Sequence, residues 1–192
     1  MSRSLRLFLA LEVPEAHRRE IARRAAALRR SLPAARWVPA ENLHLTLRFL
    51  GDTDPDRVPR LVDAVRPAFA AFEPLTLRLA GGGTFPPARP ARVAWVGIEG
   101  GETLHELQGE VAAAADAALG LEPEGRPFHP HVTLARPRRP WNRRASEEFA
   151  RAFEGSLGEP FVVRSGVLVE SRVGPGGAVY ATVEELTVGG AP

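Results

Sequence analysis

Two segments of one form, His44-Leu45-Thr46-Leu47 and His131-Val132-Thr133-Leu134, lie 87 residues apart. At the same offset, Phe8-Leu9-Ala10-Leu11-Glu12 falls on Trp95-Val96-Gly97-Ile98-Glu99. Two coincidences at one offset, in matching order, restrict the chain to a duplicated unit: strand, helix, histidine-bearing strand, helix, strand. The copies cover approximately residues 5–80 and 91–171 of a single bilobal domain spanning 1–192. The pattern predicts an α+β protein with two pseudo-two-fold-related lobes. Each lobe is expected to be an antiparallel-rich sheet with helices on its outer side, and the active cleft to lie between the lobes.

The elements follow from local patterning. Leu5–Val13 is a short apolar run that reads as a buried strand. Pro14 opens a helix over Glu15–Arg30, apolar on one face and Arg-rich on the other. Leu43–Leu50 alternates as a strand, and Asp54 to Phe72 is helical but expected to be irregular or broken at Pro59 and Pro67. Leu75–Ala80 is a strand stopped by Gly81-Gly82-Gly83, with a loop over Gly83–Pro90. In the second copy Ala91–Glu99 is a strand, and Thr103–Leu119 a helix capped by Gly120. A loop over Leu121–Pro130 leads into a short strand, His131–Ala135, and then a basic loop, Arg136–Arg144. A helix over Ala145–Phe153 precedes two strands, Phe161–Ser171 and Ala178–Val188, joined by the turn Gly174-Pro175-Gly176-Gly177.

Residues i and i+2 of a strand share a face. His44 and Thr46 therefore look out together, as do His131 and Thr133, while Leu45, Leu47, Val132 and Leu134 face the core. The duplication brings the two polar pairs towards one another. Imidazoles with an ordinary pKa of about 6.5 suit acid–base work near neutrality, one protonated while the other is neutral. Threonine hydroxyls can donate to the non-bridging oxygens of a phosphoryl group between them. Acid and base on opposed sides is what in-line displacement at phosphorus requires. A single His-x-Thr is more often a partly buried histidine beside a cross-strand threonine. Two copies in equivalent places are hard to explain by packing, which favours apolar residues at buried sites.

Composition narrows the chemistry. The absence of Cys excludes disulfide scaffolds, thiolate metal sites and cysteine nucleophiles. All 25 basic side chains are Arg, against 23 Asp and Glu, for a net charge of +2. The pI of 10.2 follows from having almost nothing to titrate above neutrality, and does not mark a nucleic-acid coat protein. No apolar run approaches the roughly 20 residues of a membrane span, and the N-terminus lacks a signal-peptide core. A cytoplasmic monomer without membrane contact, metal or other cofactor is expected.

The chain resembles the two-histidine phosphoesterases, in the RNA 2′,3′-cyclic phosphodiesterase branch also called 2′-5′ RNA ligase or LigT-like. The resemblance rests on Arg6 to Leu11, Trp37-Val38, Glu41 to Gly51, Phe85-Pro86, Arg126 to Arg136, and the late Gly176-Gly177 followed by Tyr180. It implies metal-independent hydrolysis of RNA 2′,3′-cyclic phosphate ends to 2′-phosphates, with weak 2′-5′ joining by reversal. It implies that His44 is the proton donor to the departing 3′ oxygen and His131 the proton acceptor that activates water. Thr46, Thr133 and Arg136 would hold the phosphate. The substrate would be RNA with cyclic ends, tRNA fragments among them, or a cyclic nucleotide. Two alternatives stay open: a module that captures RNA ends without turnover, and a phosphodiesterase for another cyclic or 2′-5′ linked nucleotide.

Other residues carry weaker signals. Phe49, expected on the outward face with His44 and Thr46, and Phe128 are candidates to stack on a base, with core packing as the competing reading. Arg48 is expected on the opposite face and is not counted as a phosphate ligand. His129 and His131 form an H-x-H pair without a third ligand nearby. His17 and His105 read as solvated helix residues. Arg136, Arg138, Arg139, Arg143 and Arg144 form a basic cluster, either a solvated loop or a contact to RNA backbone. Gly81-Gly82-Gly83 lacks the following Lys of a phosphate-binding loop.

Overall fold

The computed structural model describes residues 3–87, 90–155, 157–174 and 177–189. Pro175 and Gly176, in the expected late turn, lie outside the described residues. In the first half β1 (Leu5–Glu12), α1 (Glu15–Leu28), β2 (Ala35–Trp37), β3 (His44–Thr53), α2 (Val58–Ala70) and β4 (Leu75–Phe85) follow one another. In the second come β5 (Val93–Glu99), α3 (Gly101–Leu119), β6 (His131–Pro137), α4 (Arg143–Ala152), β7 (Phe161–Val163), β8 (Ser165–Gly174) and β9 (Gly177–Thr187). Among the described residues no helix is long and apolar enough to cross a membrane.

The strands join in the order β7-β4-β5-β6-β3-β1-β8-β9, with β2 added beside β6. The middle of this curled antiparallel sheet is narrow, because β3 and β6 pair at Leu45 and Val132 alone. On either side lies a set of four strands whose innermost member is a histidine strand, β6 or β3. The last strand of each sequence copy crosses over: β4 pairs with β5, and β8 pairs with β1. The lobes are therefore interlocked, not consecutive along the chain.

The register refines the duplication. Glu12, Leu11 and Ala10 stand opposite His44, Leu45 and Thr46. Gly97, Val96 and Trp95 stand opposite His131, Val132 and Thr133. The histidine strands thus correspond at an offset of 87, but β1 and β5 correspond at 85. The match of Phe8–Glu12 to Trp95–Glu99 is two residues out of step. An even slip leaves every side chain on its own face, so alternation alone does not reveal it.

Several expected boundaries shift for local reasons. β4 runs through the glycines to Phe85 instead of ending at Ala80, with an irregularity at Gly81, whose φ is +67°. A Cβ on Gly83 would fall 2.3 Å from the Trp95 ring, so this glycine makes room for an aromatic side chain. α2 is continuous because Pro59 sits in its first turn, where no backbone N–H is needed, and Pro67 is accommodated inside it. The expected strand Phe161–Ser171 is two strands, β7 on β4 and β8 on β1. α4 begins at Arg143 because the Asn142 side chain accepts from the Ala145 N–H at 3.0 Å.

One core cluster joins Leu7, Leu9 and Leu11 of β1 to Ile21 of α1, Phe69 of α2, Leu107 and Val111 of α3, and Phe149 of α4. Each such side chain contributes roughly 1.5–3 kcal/mol when fully buried. The alternate residues Phe8 and Ala10 pack with Val167, Val169 and Tyr180 in a separate small cluster. Helices thus cover one face of the sheet, and the other face carries the histidines.

Candidate functional site

A β-bulge shapes the site in both lobes. Ala10 stands opposite Thr46 and Leu9 opposite Arg48, so Leu47 is the additional residue. In the other lobe Trp95 faces Thr133 and Ala94 faces Ala135, leaving Leu134 additional. Each bulge reverses the alternation after the motif. Strict alternation puts Arg48 outward with His44 and Phe49 inward; instead Arg48 is 6% exposed and Phe49 57%. The faces assigned to these residues are met, but because of the bulge and not of strand regularity. Arg136, five residues after His131 as Phe49 is after His44, is likewise turned outward.

The two imidazoles are held alike. The Nδ1 of His44 lies 2.8 Å from the Asn42 carbonyl oxygen, and that of His131 lies 2.6 Å from the His129 carbonyl oxygen. An acceptor there requires Nδ1–H, which leaves Nε2 for chemistry. The His44 Nε2 is 3.0 Å from the Thr46 hydroxyl. Phe8 stacks on His44 at 4.7 Å, and Tyr180 meets its edge at 5.3 Å. Phe85 stands edge-on to His131 at 5.2 Å, and Trp95 to His129 at 4.7 Å.

Burial depresses the pKa of His44; the Asn42 carbonyl acts in the opposite sense, and the His131 charge lowers it further. Burial also depresses His131, opposed by the His129 carbonyl and reinforced by the charges of His129 and Arg136. Burial raises Tyr180, while Arg136 and Arg6 pull it down. His44 senses His131, and both His131 and Tyr180 sense Arg136. Leu45 stands opposite Val132, so the two histidine motifs meet at the seam between the lobes. A cleft of about 410 Å³ opens on the His44 side, lined by Phe8, Asn42, His44, Val167 and Tyr180 among others.

Other expected residues lie elsewhere. Phe128 is not brought to this cleft. It lines a larger hollow of about 670 Å³ with Arg48 and Asp116, on the helix-covered side of the sheet, and meets the His105 ring at 5.6 Å. His17 is half-buried and not fully solvated: its Nε2 lies 2.7 Å from the Glu159 carbonyl, and its ring packs on Phe161 at 4.7 Å. His105 is exposed, as expected of a helix surface. The His129 and His131 rings are 6.2 Å apart. No group of three or more His, Cys, Asp or Glu able to hold a metal occurs among the described residues. The aromatic walls Phe8, Phe85 and Trp95 escaped the motif reading. Phe8 and Trp95 share the histidines' face on the neighbouring strands, which alternation could have revealed once register was known.

A family model described as the 2′-5′ RNA ligase superfamily matches residues 13–173. The chain belongs to the 2′-5′ RNA ligase superfamily. A protein of Methanothermobacter thermautotrophicus named RNA 2′,3′-cyclic phosphodiesterase is 31% identical, over 94% of this chain and 97% of its own. A Thermus thermophilus protein of the same name is 32% identical, over 97% of this chain and 91% of its own. Among solved structures, TT0787 of Thermus thermophilus superposes with a TM-score of 0.80 at 29% identity, over 96% of this chain and 98% of that one. E. coli LigT complexed with 3′-AMP gives 0.78 at 27% identity, with the same coverages.

Proposed function

We propose that this superfamily member is an RNA 2′,3′-cyclic phosphodiesterase that opens cyclic ends to 2′-phosphates by paired histidine catalysis, without a metal. The observation that carries the reading is the matched pair of imidazoles, each with Nδ1 on a backbone carbonyl and Nε2 left for chemistry. The names of relatives aligned over nearly the whole chain supply the substrate class.

In this mechanism His131 Nε2 takes a proton from water as the water oxygen bonds to phosphorus. The bond from phosphorus to the 3′ oxygen breaks on the opposite side, and His44 Nε2–H protonates the departing oxygen. Proton exchange with solvent then restores both rings. Thr46, Thr133 and Arg136 hold non-bridging oxygens, and Phe49 offers a face to a base. The Arg136 charge favours neutral His131, which suits a base. Burial disfavours protonated His44 in the free protein. A bound phosphate anion opposes that effect and stabilises the acid form where it is needed.

The test is chromatographic identification of product from an RNA oligonucleotide ending in a 2′,3′-cyclic phosphate. The expected product carries a 2′-phosphate only. Tight binding with the cyclic end returned unchanged would identify a capture module, and a 3′-phosphate product would reverse the orientation of the ribose between the histidines.

A further inference from the structure

The clearest feature that this mechanism leaves unused is a pair of like charges placed directly across two strands. β2 is an addition to β6 at the point where β3 has diverged from it, and it sets Arg36 opposite Arg136. The adjoining pair, Trp37 with Ala135, faces the core: Ala135 is fully buried and Trp37 packs on Trp141 and Phe149. Arg36 must therefore share the outward face of Arg136, and both are exposed. Neither makes an ion pair among the described residues, nor does neighbouring Arg138. Other exposed arginines do find partners, such as Arg66 with Glu184 and Arg143 with Glu147.

Like charges opposite one another destabilise a ladder. A cation pair kept without a carboxylate, on the face of a phosphate-directed cleft, is suited to an anion from outside. Its position specifies which anion. Thr133 stands opposite Trp95 and Ala135 opposite Ala94. Arg136 and Arg36 therefore lie about two ladder steps beyond Thr133, roughly 7 Å along the strand. The long Arg136 side chain reaches back to a reacting phosphate at Thr133, and Arg36, one strand further out, is placed for the next phosphate of a nucleic-acid chain.

We infer that Arg36, one strand further out than Arg136, forms a second phosphate subsite that binds the internucleotide phosphate next to the reacting end held by Thr46, Thr133 and Arg136, so that the protein favours RNA oligonucleotides over cyclic mononucleotides. The inference rests on the reading of the cleft as an RNA-end site. Arg36 is a binding residue here and takes no part in proton transfer.

The test uses binding to the product end, which does not depend on turnover. A fluorescein-labelled trinucleotide ending in a 2′-phosphate is titrated by anisotropy into wild type and Arg36→Gln at several salt concentrations, with a mononucleoside 2′-phosphate as competitor. Arg36→Gln should weaken trinucleotide binding about fivefold at low salt and reduce the log–log salt slope by about 0.7, the value of one contact to a single strand. The ratio of trinucleotide to mononucleotide affinity should fall. Arg36→Lys should recover most of the loss, and Arg36→Gln should melt no lower than wild type because a repulsion is removed. Equal losses for both ligands, an unchanged slope, or a lowered melting temperature would overturn the subsite. A wild type that leaves cyclic ends unopened would overturn the proposed reaction, and the binding series would still decide on Arg36.

Discussion

The two histidine strands are one scaffold with different occupants. Both present histidine and threonine outward, both insert a bulge after the motif, and both hold Nδ1 on a carbonyl two residues upstream. They diverge after the bulge. The inward position holds Arg48 in one lobe and Ala135 in the other; the outward position holds Phe49 and Arg136. The His44 ring lies under a stacked Phe8, whereas His131 stands near a cation. The common scaffold presents both histidines on one face, and in the proposed mechanism the unequal residues around them distinguish acid from base.

The comparison can be broken most severely at the histidines. His44→Ala and His131→Ala should each reduce kcat/KM for a cyclic RNA end by about 10²–10⁴-fold with the fold intact, checked by turnover and circular dichroism. Full activity in either would remove the need for a pair.

Arg48 tests the inward difference. Its Nε is 2.8 Å from Asp116 Oδ1, and its remaining nitrogens reach the Glu122 carbonyl at 2.7 Å and Glu124 at 3.2 Å. Arg48→Ala leaves Asp116 buried without its cation and should cost about 3–5 kcal/mol in urea unfolding. The double variant Arg48→Met with Asp116→Leu should recover most of that. A cost below about 1 kcal/mol for the single variant would mean the pair is effectively solvated.

Smaller effects sharpen the outward side. Thr46→Val and Thr133→Val should each lower kcat/KM about tenfold, comparable with the loss of one charge-assisted hydrogen bond. The Arg136 cation lowers the His131 pKa, so Arg136→Ala raises it. A base must be neutral, and the acidic limb of the kcat/KM profile should therefore move to higher pH in that variant. A limb that stays in place would separate Arg136 from His131.

The candidate site was legible because alternation and a repeated offset place His44, Thr46, His131 and Thr133 without tertiary information. Arg136 came from resemblance, since alternation by itself turns it inward. The bulge that turns it outward is set by register against a neighbouring strand, which single-strand patterning does not contain. β2 is three residues long and too short for any period, yet it carries Arg36 into line with Arg136. The glycines of β4 suggested a loop; instead Gly83 makes room for the Trp95 ring, and Gly82 for Phe153 and Ala150. Phe128 has the same side-chain chemistry as Phe49, and only the arrangement of α3 behind the sheet separates their destinations.

The most direct test of the division of labour is the pH dependence of kcat/KM for cyclic RNA ends in wild type, His44→Ala and His131→Ala. Wild type should be bell-shaped. The residual rate of His131→Ala should lose the acidic limb, because no base remains to be freed of its proton, and that of His44→Ala should lose the alkaline limb. Both limbs persisting in either variant, or the two losses exchanged, would contradict the assignment of His44 as acid and His131 as base.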